Sequence, residues 1–201
     1  IVGANGAGKT TLIRCILGLL PTEKSAITLK GKDLTEHTRS DIAKLVSYVP
    51  QQLPEHIPFT VIEFIIMSRY AHSIGISAKG VEDEPIAKDV LERLDITHLS
   101  HQPVSTLSGG EKQKVNIAAA LAQQAPIIIL DEPSSHLDPK QRDSIQRLLH
   151  NISLDTTLIT VTHDLNWAAM SFDRILGMLD GKVTIDTSSE AFITSENLQL
   201  I

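Results

Sequence analysis

A single cysteine, Cys15, stands in 201 residues, so no disulfide can form within the chain and a reducing compartment is its natural setting. Long apolar runs are missing as well. The best candidate, NIAAALAQQAPIIIL, is interrupted by Gln123, Gln124 and Pro126 and falls short of the ~18 residues that cross a bilayer. A surplus of positive charge is also absent. Eighteen Lys and Arg face 24 Asp and Glu, a balance of −6, which argues against nucleic acid or an anionic membrane surface as the main partner. No secretory leader, repeat or low-complexity tract is visible in these residues. The chain does not open on methionine; Ile1–Val2 reads as the end of a strand whose start lies upstream, so a fragment lacking its N-terminal strands is expected. What is present is core material: 42% hydrophobic and 21% charged residues suit one folded domain, or a domain with a subdomain.

Short β-branched apolar runs alternate with helix-patterned stretches, which predicts an α/β fold built on a mainly parallel sheet. Strands are expected at 26–30, 45–49, 126–130, 156–162, 174–179 and 182–186, with Asp180-Gly181 as a tight hairpin turn. Helices are expected at 9–19, 38–44, 60–70, 84–94, 110–123, 139–151 and 164–171, the first ended by Pro21. Residues 53–106 carry helical pattern but no clear strand. They read as a helical insertion between two core segments, 1–52 and 107–201.

Residues 3–10, GANGAGKT, follow the strand stub and open a helix. Gly3, Gly6 and Gly8 permit a loop that wraps a phosphate, with backbone N–H groups of Asn5 and Ala7 available to the same nest. The helix N-terminus adds positive potential there. Lys9 suits the terminal phosphates, Thr10 a Mg²⁺ ion and Thr11 the inner phosphate. A second signal is IIILDE at 127–132, a fully apolar strand with two carboxylates at its C-terminal end, where open α/β sheets bind ligands. Asp131 suits Mg²⁺. Glu132 suits the orientation of an attacking water, since phosphoryl transfer depends on positioning and charge stabilisation. The third signal is LSGGEKQK at 107–114. Ser108 and Glu111 form an S-x-x-E capping box, and the two bare glycines between them leave a helix N-terminus open to a second phosphate, one held by another subunit.

The order GANGAGKT, LSGGE, IIILDEP, SSHLD and THD resembles the nucleotide-binding subunit of ABC transporters, over nearly the whole chain. The resemblance implies a P-loop NTPase (RecA-like) core with an inserted helical subdomain, a head-to-tail homodimer and two ATP molecules at its interface. The loop Gly3 to Thr11 of one subunit would face Ser108, Gly109, Gly110 and Glu111 of the other. It also implies that Gln51, in YVPQ, contacts Mg²⁺ and the attacking water. By the same resemblance Asp138 crosses the interface, although it also fits an N-cap before Pro139, and His163 bonds the γ-phosphate. Asp164 is assigned to capping alone. His37, His98, His101 and His150 read as surface residues and Cys15 as a buried apolar one.

Two features of the resemblance point to a branch. Glu111 stands where glutamine is more common, and 59–72, FTVIEFIIMSRYAH, is similar to ATPases of iron-siderophore, haem and cobalamin importers; manganese and zinc importers carry a related stretch. Ile62, Phe64, Ile65 and Ile66 exceed one helix face, which suggests docking of a permease helix as well as subdomain packing. The expected partners are thus transmembrane permease subunits and, indirectly, a substrate-binding protein, at the cytoplasmic face of the cell membrane. A soluble ABC ATPase of DNA repair or translation and a P-loop kinase are the alternatives. The residue that would stack on adenine is expected upstream of Ile1, and a short truncation is expected after ENLQLI at 196–201.

Overall fold

The computed structural model describes residues 1–54, 56–72 and 83–192. In chain order the elements are α1 (Lys9–Ile16), β1 (Thr28–Leu29), β2 (Lys32–Asp33), α2 (Arg39–Leu45), β3 (Val46–Val49), α3 (Val61–Ser68), α4 (Asp83–Arg93), α5 (Gly109–Ala122), β4 (Ile127–Asp131), α6 (Pro139–Ser153), β5 (Thr157–Val161), α7 (Leu165–Ser171), β6 (Arg174–Leu179), β7 (Lys182–Ser188) and α8 (Ser189–Phe192). β3, β4 and β5 form a parallel sheet in that order, with Val49 opposite Leu130 and Asp131 opposite Val161. Ile1–Val2 extends it. The Thr162 amide donates to the Ile1 carbonyl at 3.1 Å on one side, and Val2 exchanges backbone bonds with Leu176 and Met178 at 2.8 and 2.9 Å on the other. β6 and β7 form the antiparallel hairpin at that edge. Asp180 and Gly181 at its tip have φ of 49° and 76°, a pair of positive values that matches the twist of the flanking strands.

Burial explains why these runs became strands. Ile128, Ile129 and Leu130 of β4 are 0–2% exposed, so both faces of the central strand are covered, each side chain contributing about 1.5–3 kcal/mol. From Val115 on, α5 is buried nearly all round, with Val115, Ile117, Ala118 and Ala122 in the core, as befits a helix packed on several sides. It meets α3, α4, α6 and β3. α6 starts with Asp138 as N-cap and Pro139 in its first turn, and buries Ile145, Leu149 and Ile152 along one stripe. A buried pair, Arg69 and Asp83 at 2.6 Å, ties α3 to α4, and the same guanidinium bonds the Ala122 carbonyl at the end of α5. Among the described residues no strand lies between β3 and β4, only an isolated bridge between Thr60 and Pro103. Also among the described residues, no helix is long and apolar enough to cross a membrane.

Several sequence expectations change. α1 ends at Ile16 and not at 19. Gly18, at φ 65°, turns the chain so that its own amide and that of Leu19 satisfy the carbonyls of Cys15 and Arg14, which stops the helix well before Pro21. The strand expected at 26–30 shrinks to Thr28–Leu29 because Lys30-Gly31 turns it at once against Lys32–Asp33. Cys15 is half-buried, not buried, since it lies beside the core stripe of Ile13 rather than on it. His37 is half-buried with Nε2 inside and unpartnered, so it is not a plain surface residue. The segment 196–201 lies outside the described residues.

Candidate functional site

Four parallel segments end at one edge of the sheet, and each delivers a polar residue there. Val2 runs into the glycine loop, β3 into Gln51, β4 into Asp131 and Glu132, and β5 into His163. The loop is held from behind by the hairpin. The Gly181 amide donates to the Ala7 carbonyl at 3.1 Å. A Cβ on Gly3 would sit 2.2 Å from the Met178 carbonyl oxygen, so no side chain fits there. Gly8 occupies the N-cap of α1 at φ 94°, a conformation that favours glycine, and offers no side-chain acceptor. The first-turn amides of α1 are therefore left for an external anion, as any uncapped helix start leaves them. Ala7 is buried, whereas Asn5, Gly6, Thr10 and Thr11 are exposed around the opening.

Lys9 is only 7% exposed, and its Nζ donates to the carbonyls of Gly3 and Ala4, both at 2.8 Å. Its charge thus lies across the loop mouth. Thr10 Oγ1 and the Tyr48 hydroxyl reach the same oxygen, Oδ2 of Asp131, at 3.5 and 3.4 Å. Burial pushes the Asp131 carboxyl above the usual aspartate range, and the Tyr48 bond opposes that. Burial, followed by the charge of Asp131, pushes the Tyr48 phenol up to about 12, so it stays protonated and donating. Glu132 has φ 49° and anchors its amide on the Val161 carbonyl at 2.9 Å. Its Oε2 lies 3.1 Å from His163 Nδ1 and 3.4 Å from Gln51 Nε2. The Gln51 amide also meets Ser135 Oγ at 3.3 Å and His136 Nε2 at 3.4 Å.

The remaining candidates form a second group. Ser108 caps α5, and both its amide and its hydroxyl donate to Glu111 Oε2, at 2.8 and 2.6 Å. Those bonds hold the Glu111 carboxyl below the usual glutamate range. Asp138 Oδ1 accepts the Gln141 amide at 2.9 Å, so within one chain it serves as an N-cap. Ser108, Gly110, Glu111 and Asp138 line one cavity of about 440 Å³ with Lys114 and Lys140 on its wall. Among the described residues no hydrogen bond joins this group to the first.

Residues 1–135 match the ABC transporter family. This chain belongs to that family. Members hydrolyse ATP, and its α/β architecture is that of their P-loop NTPase core. It is 32% identical to the uncharacterized ABC transporter ATP-binding protein YvrA of Bacillus subtilis, over the whole of this chain but 46% of that protein. It is 36% identical to the manganese transport system ATP-binding protein MntB of Listeria innocua, over 99% of this chain and 82% of that one. Hemin import ATP-binding protein HmuV of Gloeobacter violaceus is 33% identical over 98% of this chain and 74% of its own length. Among solved structures, cbiO1 of Clostridium perfringens, part of the ABC transporter complex cbiONQ, superposes with a TM-score of 0.80 at 28% identity, covering 98% of this chain and 79% of that one.

Sequence reasoning missed four contributors to this candidate site. Tyr48 is three residues before Gln51 on the strand beside β4, a placement that register could have revealed. Ser135 and His136 lie in the SSHLD stretch that drew attention only to Asp138. The backing of the loop by the β6–β7 hairpin has no local signal, because the contacting segments are distant in sequence.

Proposed function

We propose that this chain is the ATP-hydrolysing subunit of an importer for a metal chelate of the iron-siderophore, haem or cobalamin type. It works as a head-to-tail homodimer beneath transmembrane permease subunits, at the cytoplasmic face of the cell membrane, with a substrate-binding protein on the far side. Residues 1–52 and 107–201 make its nucleotide-binding core and 53–106 its helical subdomain. The observation that carries the dimer is Gly109. Its φ is not positive, and a Cβ there would meet nothing of its own chain closer than Leu137 at 4.0 Å. Neither backbone nor packing explains the bare position, whereas a phosphate brought by a second subunit does.

The residues present fit ATP and Mg²⁺. An uncapped helix start and Lys9 suit the phosphates. Thr10, Asp131 and Gln51 supply the hard oxygen ligands that Mg²⁺ prefers. When bound, that ion shields the charge of the phosphate oxygens. In the proposed reaction Lys9 turns from the Gly3 and Ala4 carbonyls to the terminal phosphates, Glu132 orients water and takes its proton, and His163 leaves Glu132 to stabilise the γ-phosphate. Ser108, Gly109 and Gly110, with Glu111 and Asp138 behind them, close over the partner's nucleotide. The γ-phosphate touches both subunits only before cleavage, which links hydrolysis to reopening.

A groove of about 460 Å³ beside Gln51, walled by Leu53, Phe59, Phe64 and Met67, offers apolar surface for a permease helix. Met67 is 52% exposed there. The chelate assignment draws on the hemin and ferric enterobactin proteins among the relatives; a manganese importer is the second reading, favoured by the 36% identity to MntB. Glu132→Gln is the test. It should bind ATP, turn over at least about a hundredfold more slowly and accumulate a dimer by light scattering. Turnover near that of the parent would remove Glu132 from its role. The permease that copurifies with the tagged chain from membranes then separates the two cargo readings.

A further inference from the structure

We propose that Asn116 is a positioning residue for Gln51. Asn116 lies in the middle of α5, is 4% exposed, and donates its Nδ2 to the Pro50 carbonyl at 3.1 Å. Pro50 immediately precedes Gln51, and β3 has already ended at Val49. Proline has no N–H to give a neighbouring strand, so the ladder cannot continue through it. Among the described residues, no backbone–backbone hydrogen bond ties residues 50–53 to the rest of the protein. The Gln51 side chain itself makes only long, exposed contacts of 3.3–3.4 Å with Glu132, Ser135 and His136. The buried Asn116 bond is therefore the strong polar anchor of this segment, and losing it strands a carbonyl at the core boundary.

The anchor connects two regions. α5 begins at the Ser108 cap and carries Asn116 eight residues later, roughly 12 Å along one rigid helix. A force that shifts the Ser108 turn also shifts Asn116, and with it Pro50 and the approach of Gln51 to Glu132. This inference rests on the assignment of Gln51 to the nucleotide site, but its first readout does not require hydrolysis.

With Cys15 replaced by serine, a spin label at exposed Gln52→Cys reports the mobility of the segment in nucleotide-free protein. Asn116→Leu should mobilise the label while the melting curve stays cooperative. Asn116→Asp, which keeps the shape but cannot donate when ionised, should do the same. In ATPase assays Asn116→Leu should lower kcat about tenfold and leave KM for ATP within about twofold, because Lys9 and Thr10 are untouched. In a Gln51→Ala background it should cost little more, since both changes act through one group. An unchanged label in both variants, or rate losses that multiply in the Gln51→Ala background, would overturn the proposal. A mobilised label in a chain without ATPase activity would uphold the anchor and count against the function proposed above.

Discussion

α1 and α5 both have glycine at their starts, Gly8 as the cap of one and Gly109 as the first residue of the other, yet they are capped differently. At α1 the N-cap is Gly8, which provides no acceptor, and the loop is braced from behind by Met178 and Gly181. At α5 the N-cap is Ser108, and the capping box pairs the Ser108 and Glu111 amides from within, leaving those of Gly109 and Gly110 between them. The first is an uncapped helix start whose geometry its own chain enforces, as the proposed phosphate seat requires. The second is a side-chain-capped turn in which neither a positive φ nor a close neighbour calls for glycine at Gly109. On the reading proposed above, one chain carries one half-site braced by its own fold and another that acts only against a second subunit.

This contrast can be broken at the glycines. The largest effect is expected at Gly3→Ala, whose Cβ would collide with the Met178 carbonyl oxygen at 2.2 Å, a backbone atom that cannot swing aside. Unfolding free energy should fall by about 4 kcal/mol or more, with nucleotide binding lost, as read by thermal unfolding and a fluorescent ATP analogue. Gly109→Ala comes next and should separate the two properties. Stability should change by less than about 1 kcal/mol, and nucleotide affinity should hold, while turnover drops by at least about tenfold. Equal turnover in that variant would leave the Ser108 turn without a phosphate role.

The smallest effect sharpens the α5 side. Bonds from Ser108 lower the Glu111 carboxyl, so the ionised form is favoured in the folded state. Its contribution to stability is then full above the ordinary glutamate range and disappears as pH falls through the lowered value. A small melting gap between the parent and Glu111→Gln at neutral pH should close in acid. A gap that persists there would mean that the carboxylate charge is not what holds the cap.

Most of the fold was legible because its signals are local. β4 is visible as four consecutive apolar residues, α5 as a capping box followed by small apolar residues, and the β6–β7 turn as Asp-Gly. Misreadings came where two local signals competed. Gly18 stops α1 before Pro21 can, and Lys30-Gly31 folds the expected strand 26–30 back on itself. The candidate site was legible as a set of motifs but not as an arrangement. Asp138 shows the difference: its cap is observed within the chain, whereas a reach across an interface belongs only to the proposed dimer.

The sequence by itself determined the pieces: a glycine loop opening a helix, an apolar strand ending in two carboxylates, and a capped helix with bare glycines. Each depends on residues within a few positions of one another, where backbone sterics and capping chemistry act. Only the tertiary structure decided that Tyr48 and Thr10 share one oxygen of Asp131 across 83 and 121 residues, and that Gln51 meets Glu132 across 81. It alone placed Asn116 under Pro50 and the hairpin tip behind the phosphate loop. Strand order and helix packing bring those groups together, and burial of apolar faces sets both without reference to the polar residues at their ends.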